Sequence, residues 1–300
     1  MKNVVKNKNC LKLNDKLSDS PIILIRHIRS LFNQMHDIAK EKDDVEFDNS
    51  VRFNTSLFDT DIIFKGEDQM ERAKNLVNYN IKYIVVSPMY RALKTAFESI
   101  KIIEKSETSN PPIVEVNPYL FEKLDDSCDL LPDLKKTMLL YDKFSFKNKT
   151  YNIDWSNFNN DKIEEHYQLN YMKLLKMNGK LLRSENYYMN NYENLKNSNQ
   201  NLDYYDFLKD FVLSNMKKLG DVNIEDGRSV QERLSLVSKR IKELLNTLDS
   251  SKNEKILIVG HSVIFASWYA ENLHEETLDF CQETTMRCLY NCEIIGADFS

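Results

Sequence analysis

The sequence predicts an α/β fold on a mostly parallel sheet, and three observations carry that prediction. Short, β-branched apolar runs recur along the chain: IILI (22–25), IKYIVVS (81–87), PIVEV (112–116) and KILIVG (255–260). Runs that are apolar at nearly every position read as strands buried on both faces. Between them lie segments whose apolar residues recur every three or four positions, as in helices that bury one stripe. The two patterns alternate, which is the order that builds a parallel sheet through helical crossovers.

Each helical segment has its own signature. GEDQMERAKNLV (66–77) places Met70, Ala73, Leu76 and Val77 at helical spacing, and YRALKTAFESIKII (90–103) repeats the pattern. The longest covers 229–248, where Val230, Leu234, Val237, Ile241, Leu244, Leu245 and Leu248 form a stripe. Ser229 and Glu232 have the spacing of a capping box at its start. Residues 130–205 break the rhythm with a stretch rich in Asn, Lys and Tyr. Helical patterns occur there at 164–177 and 203–218, with a loop over 184–201. The strand–helix alternation resumes afterwards, so an insertion is expected rather than a second domain. The expected organisation is a polar extension over 1–20 and one domain over 21–300, with the insertion at about 130–205.

Composition excludes several classes. A chain of 300 residues with 42% hydrophobic residues can bury a sizeable core. The net charge of −5 gives no general attraction for nucleic acid or an anionic membrane, so any anion must bind in a local basic pocket. The first twenty residues lack the apolar core of a signal peptide, and no apolar run reaches a membrane span of about 18 residues. A cytoplasmic chain with no membrane partner is expected. Cys10, Cys128, Cys281, Cys288 and Cys292 are too scattered for a disulfide framework and read as free thiols. Cys288 and Cys292 lie in a strand-like run, and the spacing of the last three matches no common zinc pattern. No metal or other cofactor is expected.

Ligands of parallel α/β sheets sit beyond the carboxyl ends of the strands. The residues just past each of those ends are therefore informative. Arg26 and His27 come after the first strand, then Asn33; Arg91 comes soon after the second; Glu122 lies beyond the third; His261 lies beyond the fourth. Each has an ordinary explanation alone, but together they suit phosphoryl chemistry. Two guanidinium forks can hold a phosphoryl group bidentately. A neutral imidazole can attack phosphorus, and a second can stabilise the oxygens as charge develops. A carboxylic acid can protonate the leaving oxygen and then accept a proton from water. None of these steps calls for a metal.

ILIRHIRSLFN resembles the R-H-G-E-S-x-x-N motif of the histidine phosphatase, or phosphoglycerate mutase-like, superfamily. SPMYRALKTA (87–96) is similar to its S-P-x-x-R-A-x-x-T-A signature. RFNTSLFDTDIIFKGEDQMERA (52–73), LFEKLDDSCD (120–129), GRSVQERLSLVSKRI (227–241) and ILIVGHSVIFASWY (256–269) resemble further segments, in the family's order along the chain. The resemblance implies a three-layer α/β/α sandwich. It implies His27 as the phosphorylated nucleophile, with Arg26, Arg91 and His261 on the phosphoryl oxygens and Asn33 assisting. It implies Glu122 as the acid–base, with Asp125 as the other candidate.

The chain also departs from the motifs. Ile28 stands where the family has glycine: either the backbone is ordinary there or the pocket is narrowed. Arg29 replaces a glutamate and either adds charge beside the phosphate or faces solvent. Ser262 replaces another glycine and either touches the ligand or serves as a helix N-cap. The mutase loop Glu-Arg-His-Tyr-Gly has no counterpart in Glu122–Asp126. The resemblance therefore implies a metal-independent phosphatase acting through phosphohistidine on a phosphorylated small molecule or phosphoprotein. The alternatives are an impaired relative that only binds a phosphorylated ligand or protein partner, and a mutase-type phosphotransferase.

Overall fold

The computed structural model describes residues 4–7, 9–43, 45–52, 54, 57, 59–63, 66–106, 111–123, 126–129, 134–158, 227–270, 272–274 and 288–299. The expected helices at 164–177 and 203–218, the loop at 184–201, Asp125 and Cys281 lie outside them.

The apolar runs form the centre of an eight-stranded sheet. Along the chain the strands are β1 (Val4–Lys6), β2 (Leu11–Asn14), β3 (Ile22–Arg26), β4 (Asn80–Val86), β5 (Ile113–Val116), β6 (Lys143–Phe146), β7 (Lys149–Asp154), β8 (Glu254–Gly260), β9 (Asn272–His274) and β10 (Ile294–Phe299). The order across the main sheet is β2-β10-β3-β8-β4-β5-β7-β6. From β3 to β7 neighbouring strands run parallel. β10 lies antiparallel to both β2 and β3, and β6 antiparallel to β7, so the sheet is mixed with a parallel centre. β1 and β9 make a separate antiparallel pair.

Strand alternation sends consecutive side chains to opposite faces, and each face has its own core. Ile23, Ile25, Ile84, Val86, Leu257 and Val259 pack on one side with Ala92, Leu93, Ala96 and Ile100 of α3 (Tyr90–Ile103). Ile22, Leu24, Ile256 and Ile258 pack on the other with the predicted Val230–Leu234–Val237–Ile241–Leu244 stripe. That stripe belongs to α5 (Gly227–Leu245), which shares its core with Ile264, Phe265 and Trp268 of α6 (Ser262–Tyr269). The result is an α/β/α arrangement. α1 (Leu31–Lys42) and α2 (Val45–Arg52) bury a smaller cluster with Phe32, Val51, Leu57 and Cys128.

Several local expectations are corrected. The segment at 66–77 is a 3₁₀ helix, Gly66–Asn78. A 3₁₀ helix has three residues per turn, and its buried Met70, Ala73 and Leu76 recur at that period. α5 begins at Gly227, so Ser229 lies inside its first turn and is not its cap. The N-cap of α6 is His261, with Ser262 the first helical residue. Cys288 and Cys292 precede β10 in a loop, and Cys292 has a left-handed backbone (φ 59°) that no strand residue adopts. Within the expected insertion, α4 (Leu134–Leu140) leads into the β6–β7 hairpin, which extends the sheet at its edge. Among the described residues no helix is long and apolar enough to cross a membrane.

Candidate active site

The central strands end in register, and that register builds the site. Arg26 pairs with Gly260, and Val86 with Val259. The ladder continues one bond past the strands: His27 N–H donates to Gly260 O at 2.9 Å, and Ser87 N–H to Val259 O at 3.0 Å. His27, His261 and Ser87 thus leave adjacent strands together. Gly260 has no room for a side chain, since a Cβ there would lie 2.8 Å from the Phe265 ring.

A cavity of about 760 Å³ opens at this edge. Arg26, His27, Arg91 and Glu122 line it, with Arg29 and Asn33 on the adjoining wall. His261 does not line it. Its ring is fully buried behind His27, with centroids 5.1 Å apart and planes tilted by 55°.

The His27 ring is fixed in one tautomer. Nδ1 lies 2.7 Å from Ile28 O, and a carbonyl only accepts, so Nδ1 carries the hydrogen and Nε2 the lone pair. Burial, then Arg91 and Arg26, hold the His27 pKa well below 6.5, so the ring is neutral at neutral pH. His261 is lowered in the same direction by burial, Arg91, His27 and Arg26. Its Nε2 lies 2.8 Å from Ser87 Oγ, and its buried Nδ1 has no hydrogen-bond partner among the described residues.

Ile28 neither narrows the cavity nor strains the chain. Its side chain is fully buried in the core beside Ile23 and Ile25, and it is absent from the cavity wall. Its φ is not positive. Its N–H donates to Thr95 Oγ1 at 2.8 Å, and Thr95 in turn donates to Arg91 O at 2.6 Å, joining the His27 loop to α3.

The two central arginines are held differently. Arg26 Nη1 donates to Leu289 O at 2.8 Å, and burial lowers its pKa. Arg91 is buried among acceptors: Cys128 O at 2.6 Å, Asp129 Oδ1 at 3.2 Å and Asp59 Oδ1 at 3.5 Å. Burial works against its charge, but Cys128, Asp129, Asp59 and Glu122 outweigh it and raise its pKa. Burial pushes Asp59 up to about 7, against the pull of Arg91 and Tyr90 N–H. Asp129 is raised well above the carboxylate range, first by burial.

Glu122 caps α6 from a distance. Its Oε1 accepts from Ile264 N–H and Lys123 N–H, each at 2.9 Å, while Oε2, among the described residues, accepts a longer bond from Val263 N–H at 3.3 Å. These acceptors satisfy first-turn donors that a Ser or Asp N-cap would otherwise serve. From the other side, Arg233 Nη1 donates to Tyr119 O and Phe121 O at 2.8 and 2.9 Å, steadying the loop that carries Glu122.

Asn33 lies in the first turn of α1. Its Oδ1 accepts from Ser30 N–H at 3.1 Å, and its own N–H donates to Ser30 Oγ, a capping box. Arg29 lines the cavity while paired with Asp37 at 2.5 Å. Sequence reasoning passed over Asp59, Asp129, Gln69, Arg72 and the 289–291 loop. Asn291 Nδ2 donates to His27 O at 2.8 Å, and Gln69 Oε1 accepts from Arg29 N–H at 2.9 Å. No described group of His, Cys, Asp and Glu has the arrangement of a metal site.

The sequence matches no protein-family model and no curated protein. Solved structures match over most of the chain. A phosphoglycerate mutase of Bacillus anthracis is 12% identical, with a TM-score of 0.39, over 98% of this chain and 94% of its own. The ecdysone phosphate phosphatase of Bombyx mori is 12% identical, at 0.39, over 93% and 91%. A mycobacterial glucosyl-3-phosphoglycerate phosphatase is 12% identical, at 0.38, over 93% and 96%.

Proposed function

We propose that this chain is a phosphomonoesterase that works through a phosphohistidine on His27. The observation that carries the reading is the His27 ring: neutral, fixed by Ile28 O with its lone pair on Nε2, and set in a cavity wall between Arg26 and Arg91. The sequence resemblance to histidine phosphatases supports the same assignment.

In the first step the Nε2 lone pair forms an N–P bond as the ester P–O bond breaks. Arg26 and Arg91 offset the charge on the phosphoryl oxygens. The departing oxygen takes a proton from Glu122. Oε2 is the oxygen suited to carry it, because Oε1 already accepts two shorter bonds. In the second step Glu122 takes a proton from water, the water oxygen bonds to phosphorus and the N–P bond breaks. Orthophosphate leaves and His27 returns to its neutral form. His261 acts from behind: anchored to Ser87, it backs the His27 ring.

The test is hydrolysis of an aryl phosphate by the purified chain in excess chelator, with an acid-labile phosphoryl adduct trapped on the wild type. His27→Ala is expected to lose the adduct and turnover by at least a thousandfold. Full turnover in that variant removes the reading. Phosphate binding without turnover in the wild type would leave a binding protein instead.

A further inference from the structure

The cavity is larger than a phosphoryl group requires. Its roughly 760 Å³ lies within the range of pockets that enclose whole small molecules, about 300–1,000 Å³. The charges on its wall indicate what else it holds. Among the described residues the wall carries the cations Arg26, Arg29, Lys40, Arg72, Arg91 and Lys123 against the carboxylates Asp37, Glu122, Asp126 and Asp129, which are engaged by Arg29, by backbone N–H groups, by Arg52 and by Arg91. Positive charge is therefore left over.

Arg72 is where that charge is best placed. Its Nη1 donates to Asn291 O at 3.2 Å, and its guanidinium lies 5.6 Å from the Tyr290 ring. Both partners are neutral, and no carboxylate pairs with Arg72 among the described residues. The 3₁₀ helix aims it. With three residues per turn, Gln69 and Arg72 share a ridge, while Met70, Ala73 and Leu76 face the core. An α-helix would carry the two about 60° apart around its axis. Asn291, which accepts from Arg72, also donates to His27 O, so one residue spans from the nucleophile to this arginine.

We infer that the substrate bears a second anionic group, phosphate or carboxylate, on the alcohol it releases, and that Arg72 binds it. The inference rests on the phosphomonoesterase reading and narrows its substrate to small, multiply anionic esters. Arg72 is an exposed residue that lines the cavity together with Tyr290, itself 68% exposed, so the guanidinium is open to an arriving anion.

The experiment compares kcat/KM for butanediol bisphosphate, phosphooxybutanoate and butanediol monophosphate, with an aryl phosphate alongside. The wild type is expected to favour at least one doubly anionic compound over the monophosphate by about tenfold or more, the worth of one charge-assisted hydrogen bond. Which compound is favoured tells phosphate from carboxylate. In Arg72→Ala that ratio is expected to fall below about threefold, chiefly through KM, and in Arg72→Lys to recover in part. Each ratio is taken within one protein, so a general loss of folded enzyme cancels. A wild-type ratio near one with brisk aryl phosphate turnover overturns the inference alone, as does an unchanged ratio in Arg72→Ala. If the wild type turns over none of the four compounds, the phosphomonoesterase reading fails and the inference fails with it.

Discussion

Replacing Ile28 by glycine would bring Arg26–Ile28 to the R-H-G pattern that this segment resembles, and the structure says that this change would harm the protein without helping its chemistry. Glycine is useful where φ is positive or where backbone must approach a ligand. Neither holds here: Ile28 has no positive φ and its side chain fills the core beneath the site. Truncating a fully buried isoleucine to alanine costs about 2–5 kcal/mol, through lost transfer energy and the cavity left behind. Going on to glycine adds about 0.5–1 kcal/mol of backbone entropy. The expected loss is about 3–6 kcal/mol, which would lower the melting temperature of a domain of this size by roughly 10 °C. The backbone groups of residue 28, which hold His27 Nδ1 and Thr95 Oγ1, survive the substitution. Urea denaturation gives the stability change, and aryl phosphate turnover below the melting transition gives kcat. A rise in kcat of tenfold or more with unchanged stability would refute the placement of this side chain.

Two pH predictions come from the buried groups. His27 and His261 have pKa values held well below 6.5, whereas unfolded histidines titrate near 6.5, so the unfolded chain binds more protons below that pH. The stability they contribute is complete above pH 6.5 and falls as pH drops below it; the acid limb of kcat/KM, where His27 loses its lone pair, is expected below 6.5 as well. Urea midpoints and kcat/KM measured from about pH 7.5 down to about pH 5 check both, and an acid limb centred above 6.5 would contradict them. Asp59 has the opposite sign: with its folded pKa raised to about 7, the stability it contributes is present below the ordinary carboxylate pKa and is lost as pH rises through about 7. Asp59→Asn is expected to remove that loss, which a comparison of wild-type and variant urea midpoints across the same range would detect.

The core of the fold was legible because its strands are buried on both faces. A run such as Ile22–Ile25 has no polar position to mislead, and the stripe from Val230 to Leu244 marks its helix equally well. The peripheral strands carry no such signal. In β6 and β7 the exposed positions are Lys143, Ser145, Lys149, Thr150 and Asn152, and an edge strand with one solvated side reads as polar loop. The site was legible where a side chain lies at the carboxyl end of a strand or a few residues beyond it, since Arg26, His27, Arg91 and Glu122 line one cavity at that edge. Their surroundings were not. Asp59 and Asp129 meet Arg91 from 32 residues before it and 38 after it, and nothing local in either segment marks the contact. Arg72 depended on a helix type that apolar spacing left open, since Met70, Ala73 and Leu76 suit both periods.

Glu122 shows why these residues hold one geometry although they lie far apart in the chain. His261 begins α6 without a side-chain cap, so the first N–H groups of that helix need an acceptor from elsewhere. The acceptor is Glu122, from the loop after β5, and the bonds tie its carboxylate to the helix that His261 begins. Thr95 does the same between the His27 loop and the helix of Arg91, and Asn291 between His27 and the loop that holds Arg26. The strand ends are therefore bonded to one another across the sheet edge as well as placed along it. A ligand arriving there meets donors already fixed in position, so little of its binding energy is spent on ordering them.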